Sequence, residues 1–142
     1  MSWTLAPALV QLRREVDLYA PKRSRKSDGT IGDAAHSSRV SDHNPNEEGV
    51  VCAIDFTHDP RGGFHAHKFA EQLRLRCLRV EEVRVNYIIS NGRIASKSGK
   101  WVWRDYDGLN AHKSHVHVSL HQKPRKYNSP GKWWVRKWMS ES

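Results

Sequence analysis

Leu5, Leu9, Leu12 and Val16 recur every three or four residues, with Arg13, Arg14 and Glu15 between them. That spacing predicts an amphipathic helix, which Pro21 ends. The basic stretch KRSRKSDGTIGD over 22–33 is rich in turn formers and reads as an exposed loop. In VVCAIDF, alternation puts Val50, Cys52, Ile54 and Phe56 on one strand face and Val51, Ala53 and Asp55 on the other. Asp55 therefore projects from a mostly buried strand near its end.

GGFHAHKFAEQLRLRCL predicts a second helix with Phe69, Leu73 and Cys77 turned inward, and Gly62 and Gly63 mark its approach. VRVNYIIS and NGRIAS predict two strands joined by an Asn-Gly turn. HVHVSL alternates strictly, with Val116, Val118 and Leu120 on one face and His115, His117 and Ser119 on the other. The two imidazoles therefore point the same way from backbone positions roughly 6 to 7 Å apart. The basic, aromatic segment KPRKYNSPGKWWVRKW reads as tryptophans clamping the chain end onto the core, with a sugar- or base-stacking surface as the competing reading.

A chain of 142 residues accommodates one compact domain, 1–142, with a single hydrophobic core. Two main helices and several strands of antiparallel character predict an α+β architecture, with a sheet whose polar face carries the candidate ligands and whose other face is covered by the helices. The formal net charge of +9 predicts attraction to a polyanion, whether nucleic acid, an anionic membrane surface or an anionic wall polymer. Cys52 and Cys77 are too few for a disulfide framework and read as reduced core residues. The N-terminal MSWTLAPALVQLRREVDLYA has neither a positive start followed by an unbroken apolar run nor the length of one, so it reads as neither signal peptide nor membrane span.

Chemistry gathers where the apolar scaffold presents polar side chains: His43 on a turn-rich loop, Asp55 at a strand end, and His115 with His117 on another strand. Each alone has an ordinary structural explanation as a solvated histidine, a turn former or a polar sheet face. Together, two imidazoles and one carboxylate make a catalytic zinc set with the fourth position left for water. In an HxH on a strand only one imidazole need bind the ion, which leaves the other for acid/base work or for stabilising an oxyanion. Of the nine histidines, His58, His65, His67 and His121 read as solvated or helix-surface residues, and His36 and His112 as contacts to ligands or substrate.

With SDH at 41–43, AID at 53–55 and HVH at 115–117, the sequence resembles the zinc D,D-carboxypeptidase and L-alanyl-D-glutamate endopeptidase family, which cuts peptidoglycan stem peptides and includes many phage endolysins. SDGTIGDAAH, SDHNPN, DFTHDP and YIISNGRI extend the resemblance over nearly the whole chain. It implies a D,D-peptidase (hedgehog-like) fold, one zinc ion held by His43, Asp55 and His117, and His115 as the catalytic histidine. It also implies that Arg39 steadies the oxyanion or a substrate carboxylate. The chain departs from the family in the longer NPNEEGVVC segment between His43 and Asp55. Some members place an acidic base shortly before the last ligand; here the acidic candidates nearby are Asp105 and Asp107.

The implied activity is a zinc peptidase acting on bacterial peptidoglycan stems or cross-links: a monomeric phage lysis enzyme made in the host cytoplasm without a signal peptide. It would act on the wall after release, without nucleic acid as partner and without stable membrane insertion. Two other readings compete. SDHN and the positive charge suit a metal-dependent nuclease. The tryptophans of 133–138 suit a non-enzymatic binding module with a structural metal, although such sites favour four protein ligands and cysteine.

Overall fold

A computed structural model describes residues 2–30, 42–108 and 112–141. Helix α1 spans Pro7–Tyr19 with proline in its first turn, where a missing N–H costs nothing, and it buries Ala8, Leu9, Leu12 and Val16. Leu5 is buried but precedes the helix, in β1 (Thr4–Leu5), which pairs in parallel with β2 (Val50–Val51). Proline at the helix start shifts the predicted boundary past Leu5.

The VVCAIDF run divides at Cys52 into β2 and β3 (Ala53–Thr57), which belong to different sheets. Helix α2 (Ala66–Leu78) buries Phe69, Ala70, Leu73 and Cys77. The predicted hairpin forms as β4 (Val85–Ser90) and β5 (Arg93–Ser96), joined by Asn91 and Gly92 at φ 51° and 79°. Those left-handed angles are what a two-residue turn of matching twist requires. A short strand β6 (Arg104–Asp105), not foreseen from the pattern, follows at the edge, and HVHVSL is β7 (His115–Leu120).

The main sheet is antiparallel throughout, in the order β3-β7-β4-β5-β6. Its β7 strand lies at the centre of the ligand-bearing half and is buried along its whole length, with Val116, Val118 and Leu120 in the core. Helix α2 packs against β4 and β7. The outcome is an α+β fold with helices over the sheet and a buried histidine–aspartate cluster.

In the described part of the loop, 22–30, Lys22, Ser24, Arg25 and Lys26 are exposed as expected, and Arg23 is the exception. The Arg23 side chain is fully buried: it bonds Asp17 and Asp28 and lies 5.4 Å from the Phe56 ring centre. Asp28 in turn accepts from both the backbone and hydroxyl of Thr57, which fastens the loop along β3. Arg23 and Asp28, read as part of an exposed loop, are thus paired inside the fold.

The C-terminal segment folds as α3 (Pro124–Tyr127) and α4 (Val135–Ser140). Trp133 donates its indole N–H to the Ala8 carbonyl at 2.9 Å, and Trp138 packs on Phe69 with ring centres 5.3 Å apart. These two tryptophans clamp the chain end; Trp134 stays exposed. Both cysteines are free and buried, and burial pushes the Cys52 thiol up to about 12. No helix among the described residues is long and apolar enough to cross a membrane.

Candidate metal centre

Asp55 and His117 are direct cross-strand partners on β3 and β7, so strand pairing itself places carboxylate against imidazole. Asp55 Oδ1 lies 2.9 Å from His117 Nδ1, and Asp55 Oδ2 lies 3.2 Å from His43 Nε2. The two imidazole nitrogens are 3.1 Å apart. A tetrahedral zinc ion with bonds of about 2.0–2.1 Å holds neighbouring ligand atoms about 3.3 Å apart, close to all three spacings.

The outer nitrogen of each imidazole is anchored. His43 Nδ1–H donates to the Thr30 carbonyl at 2.7 Å; that carbonyl is delivered by Gly29, which pairs with Asp55 through two backbone hydrogen bonds. His117 Nε2–H donates to the fully buried Ser119 hydroxyl at 2.7 Å. Ser119 bonds Tyr87, whose ring stacks on His117 at 5.5 Å, and Tyr87 also bonds Asp42. Such outer partners fix the tautomer and aim the inner lone pair.

Two inward lone pairs and a carboxylate need a cation between them. Burial opposes ionisation of Asp55, but hydrogen bonds from His117 and His43, with their charge, hold its pKa well below the usual carboxylate range. Burial likewise opposes protonation of His43, yet the Asp55 hydrogen bond and charge, aided by the Thr30 carbonyl, raise its pKa. A proton here occupies the electrostatic position that suits a metal ion.

His115 and His112 extend the cluster: His43, Asp55 and His117 form one set able to hold a metal, and Asp55, His112 and His115 an overlapping second. His115 Nε2 lies 3.7 Å from Asp55 Oδ2 and is buried with no hydrogen-bond partner among the described residues, while Nδ1 meets Ser114 Oγ at 3.1 Å. Burial lowers the His115 pKa, and the positive neighbours His117 and His43 reinforce the effect against the pull of Asp55. His112 is buried with its ring centre 4.6 Å from that of His115, and its backbone is left-handed at φ 54°. The Asn91 N–H of the hairpin turn donates to the His112 carbonyl and holds it there.

Asp105 and Asp107 are exposed. Pairings Val116↔Ser90, Ser90↔Arg93 and Arg93↔Asp105 put Asp105 in the row of Val116, on the face opposite the imidazoles. Three strand spacings separate that row's ends, about 14 Å. Arg39 and His36 lie outside the described residues, as does Ser41 of the SDH motif.

His58, His65 and His67, expected as solvated or helix-surface residues, are half-exposed at the start of α2, where they also bond its backbone and the neighbouring strand. His65 is its N-cap, with Nδ1 accepting from the Lys68 N–H, and His58 Nδ1 accepts from the Ala66 N–H. His67 bonds Ser90 Oγ and the Lys113 carbonyl, which ties α2 to the segment leading into β7. The alternation of β7 puts Ser119 on the imidazole face, and its position two residues after His117 is the signal in the sequence for its role. Nothing comparable marked Thr30 or Tyr87.

Comparison of the chain with protein-family models, with curated proteins and with solved structures finds no match.

Proposed function

We propose that this protein is a zinc-dependent peptidase that hydrolyses peptide bonds in bacterial peptidoglycan stems or cross-links, with the D,D-peptidase fold that its motifs resemble. The observation that carries the reading is the convergence of His43 Nε2, His117 Nδ1 and Asp55 within 3.2 Å of one another, each imidazole held by an outer hydrogen bond. A phage lysis enzyme, made in the host cytoplasm as a monomer and acting on the wall after release, is the setting we assign to it.

His43, Asp55 and His117 would hold one zinc ion. When bound, zinc supplies Lewis acidity that polarises a carbonyl and lowers the pKa of water from about 15.7 to about 7. His115 supplies the proton chemistry. Burial keeps its imidazole neutral, and its unpartnered Nε2 faces the cluster, so it takes a proton from attacking water and returns it to the leaving amine. The exposed Asp105, on the other face, is not positioned for that role.

Mass spectrometry of purified peptidoglycan incubated with the protein, with chelator and after zinc return, tests the proposal. New amino and carboxyl ends on stem peptides, lost with chelation and restored by zinc, are expected. Intact stems across walls of several cross-link types would overturn it, and nicking of plasmid DNA by the same preparation would move the site to the nuclease reading.

A further inference from the structure

Trp134 is 58% exposed and has a left-handed backbone, φ 68°. A bulky aromatic residue rarely adopts that strained conformation, which draws attention to function. Here it is imposed from α1: the Glu15 carboxylate accepts from the backbone N–H groups of Trp133, Trp134 and Val135 at 2.8, 2.8 and 3.2 Å. This clasp buries Trp133 beside it and turns the Trp134 indole outward.

Cavities of about 470 and 810 Å3 flank the indole, sharing Lys132, Trp134 and Lys137 in their walls. The larger also includes Arg14, Arg136 and the exposed Leu18. Its volume is that of a small-ligand pocket. Lys132 Nζ sits 5.2 Å from the Trp134 ring centre. Among the acids of these walls Glu82 pairs with Arg84, Glu81 and Glu141 share Arg76, and Glu15 keeps its charge while it accepts from three neutral N–H groups. Arg14, Lys132, Arg136 and Lys137 outnumber the carboxylates left over and form a net cationic rim beside the Trp134 indole.

We propose that this platform binds an anionic polysaccharide, one sugar ring stacking on Trp134 while acidic groups of the polymer meet the Lys and Arg rim. A single indole between two concave cavities suits a ring and its charged neighbours. Single-stranded nucleic acid is held by successive aromatic platforms along a groove; of the two aromatic residues in the larger cavity's wall, Tyr19 is half-buried and Trp134 alone is exposed. A membrane-lying helix needs a continuous apolar face, whereas Val135, Trp138 and Met139 of α4 are buried in the core. The proposal stands apart from the peptidase reading, because it requires neither the metal nor the chemistry.

Titration of the full chain with polygalacturonate, followed by tryptophan fluorescence and calorimetry, tests it, with neutral dextran, DNA and phosphatidylglycerol vesicles as comparators. Polygalacturonate is expected to bind in a salt-dependent manner and dextran far more weakly. Trp134→Ala should weaken binding about tenfold or more, and Lys132→Gln with Lys137→Gln should flatten the salt dependence. Trp134→Gly, which relieves the left-handed strain, should keep the melting temperature while losing binding. No binding by the unmodified chain, or undiminished binding by folded Trp134→Ala and Trp134→Gly, would overturn the proposal. Tighter binding of DNA or vesicles at equal charge would also overturn it and reassign the platform to that class.

Discussion

Two groups of histidines lie within this small fold, and they are used in opposite ways. Around Asp55, His43 and His117 spend their outer nitrogens on Thr30 and Ser119 and turn their inner ones toward a shared carboxylate. At the start of α2, His58 and His65 spend Nδ1 as acceptors for helix N–H groups, which leaves the proton on Nε2. Their ring centres are 4.6 Å apart, as close as a ligand pair, yet none of the described acids forms a ligand set with them. Proximity of imidazoles is thus a poor guide to metal chemistry; the direction of their lone pairs decides.

The sharpest way to break this contrast is to remove one nitrogen from each group. His117→Ala should weaken zinc binding more than about 100-fold, and Ser119→Ala, which removes only the outer anchor, about 10–100-fold. His65→Ala should leave zinc affinity unchanged; calorimetric titration of the three variants checks the order. A loss of zinc in His65→Ala equal to that in His117→Ala would erase the distinction.

A smaller effect is expected from His65 on stability. Loss of the N-cap should cost about 1 kcal/mol in His65→Ala, and His65→Asn should recover it. Chemical denaturation of both variants measures the difference.

The smallest effect is on pH dependence. Burial and the neighbouring imidazoles lower the pKa of His58, and burial is the leading cause at His67 too. Both folded-state values lie below the unfolded one of about 6.5, so the neutral forms stabilise the fold. That contribution is whole above about 6.5 and is lost as pH falls through the lowered values. Melting temperature should therefore decline from pH 7 to 5 in chelator, with a shallower slope in His67→Gln.

Legibility in the sequence followed the range of the interactions. The alternation of HVHVSL and the Asn-Gly turn are local, and β7 and the β4–β5 hairpin form where they were expected. The pairing of Asp55 with His117 links positions 62 apart, and nothing local specifies that strand order. Arg23 misleads for the same reason, since Asp17 and Asp28 sit on separate segments and charge alone reads as solvent-facing. The histidine cap escaped notice because Ser, Thr, Asp and Asn are the usual N-cap residues.

The direct opposition of Asp55 and His117 has a consequence for how the sheet assembles. A one-residue slip of β7 would reverse its faces, but a two-residue slip preserves them and sets His115 opposite Asp55. The HxH repeat makes the two alignments chemically alike at the very place where β3 meets β7. Discrimination then falls to the opposite edge of β7, where Tyr87 meets Ser119 and the irregularity between Val85 and Tyr87 admits one alignment to Leu120. The alignment of β7 is therefore specified by its pairing with β4 rather than by the imidazoles that face Asp55.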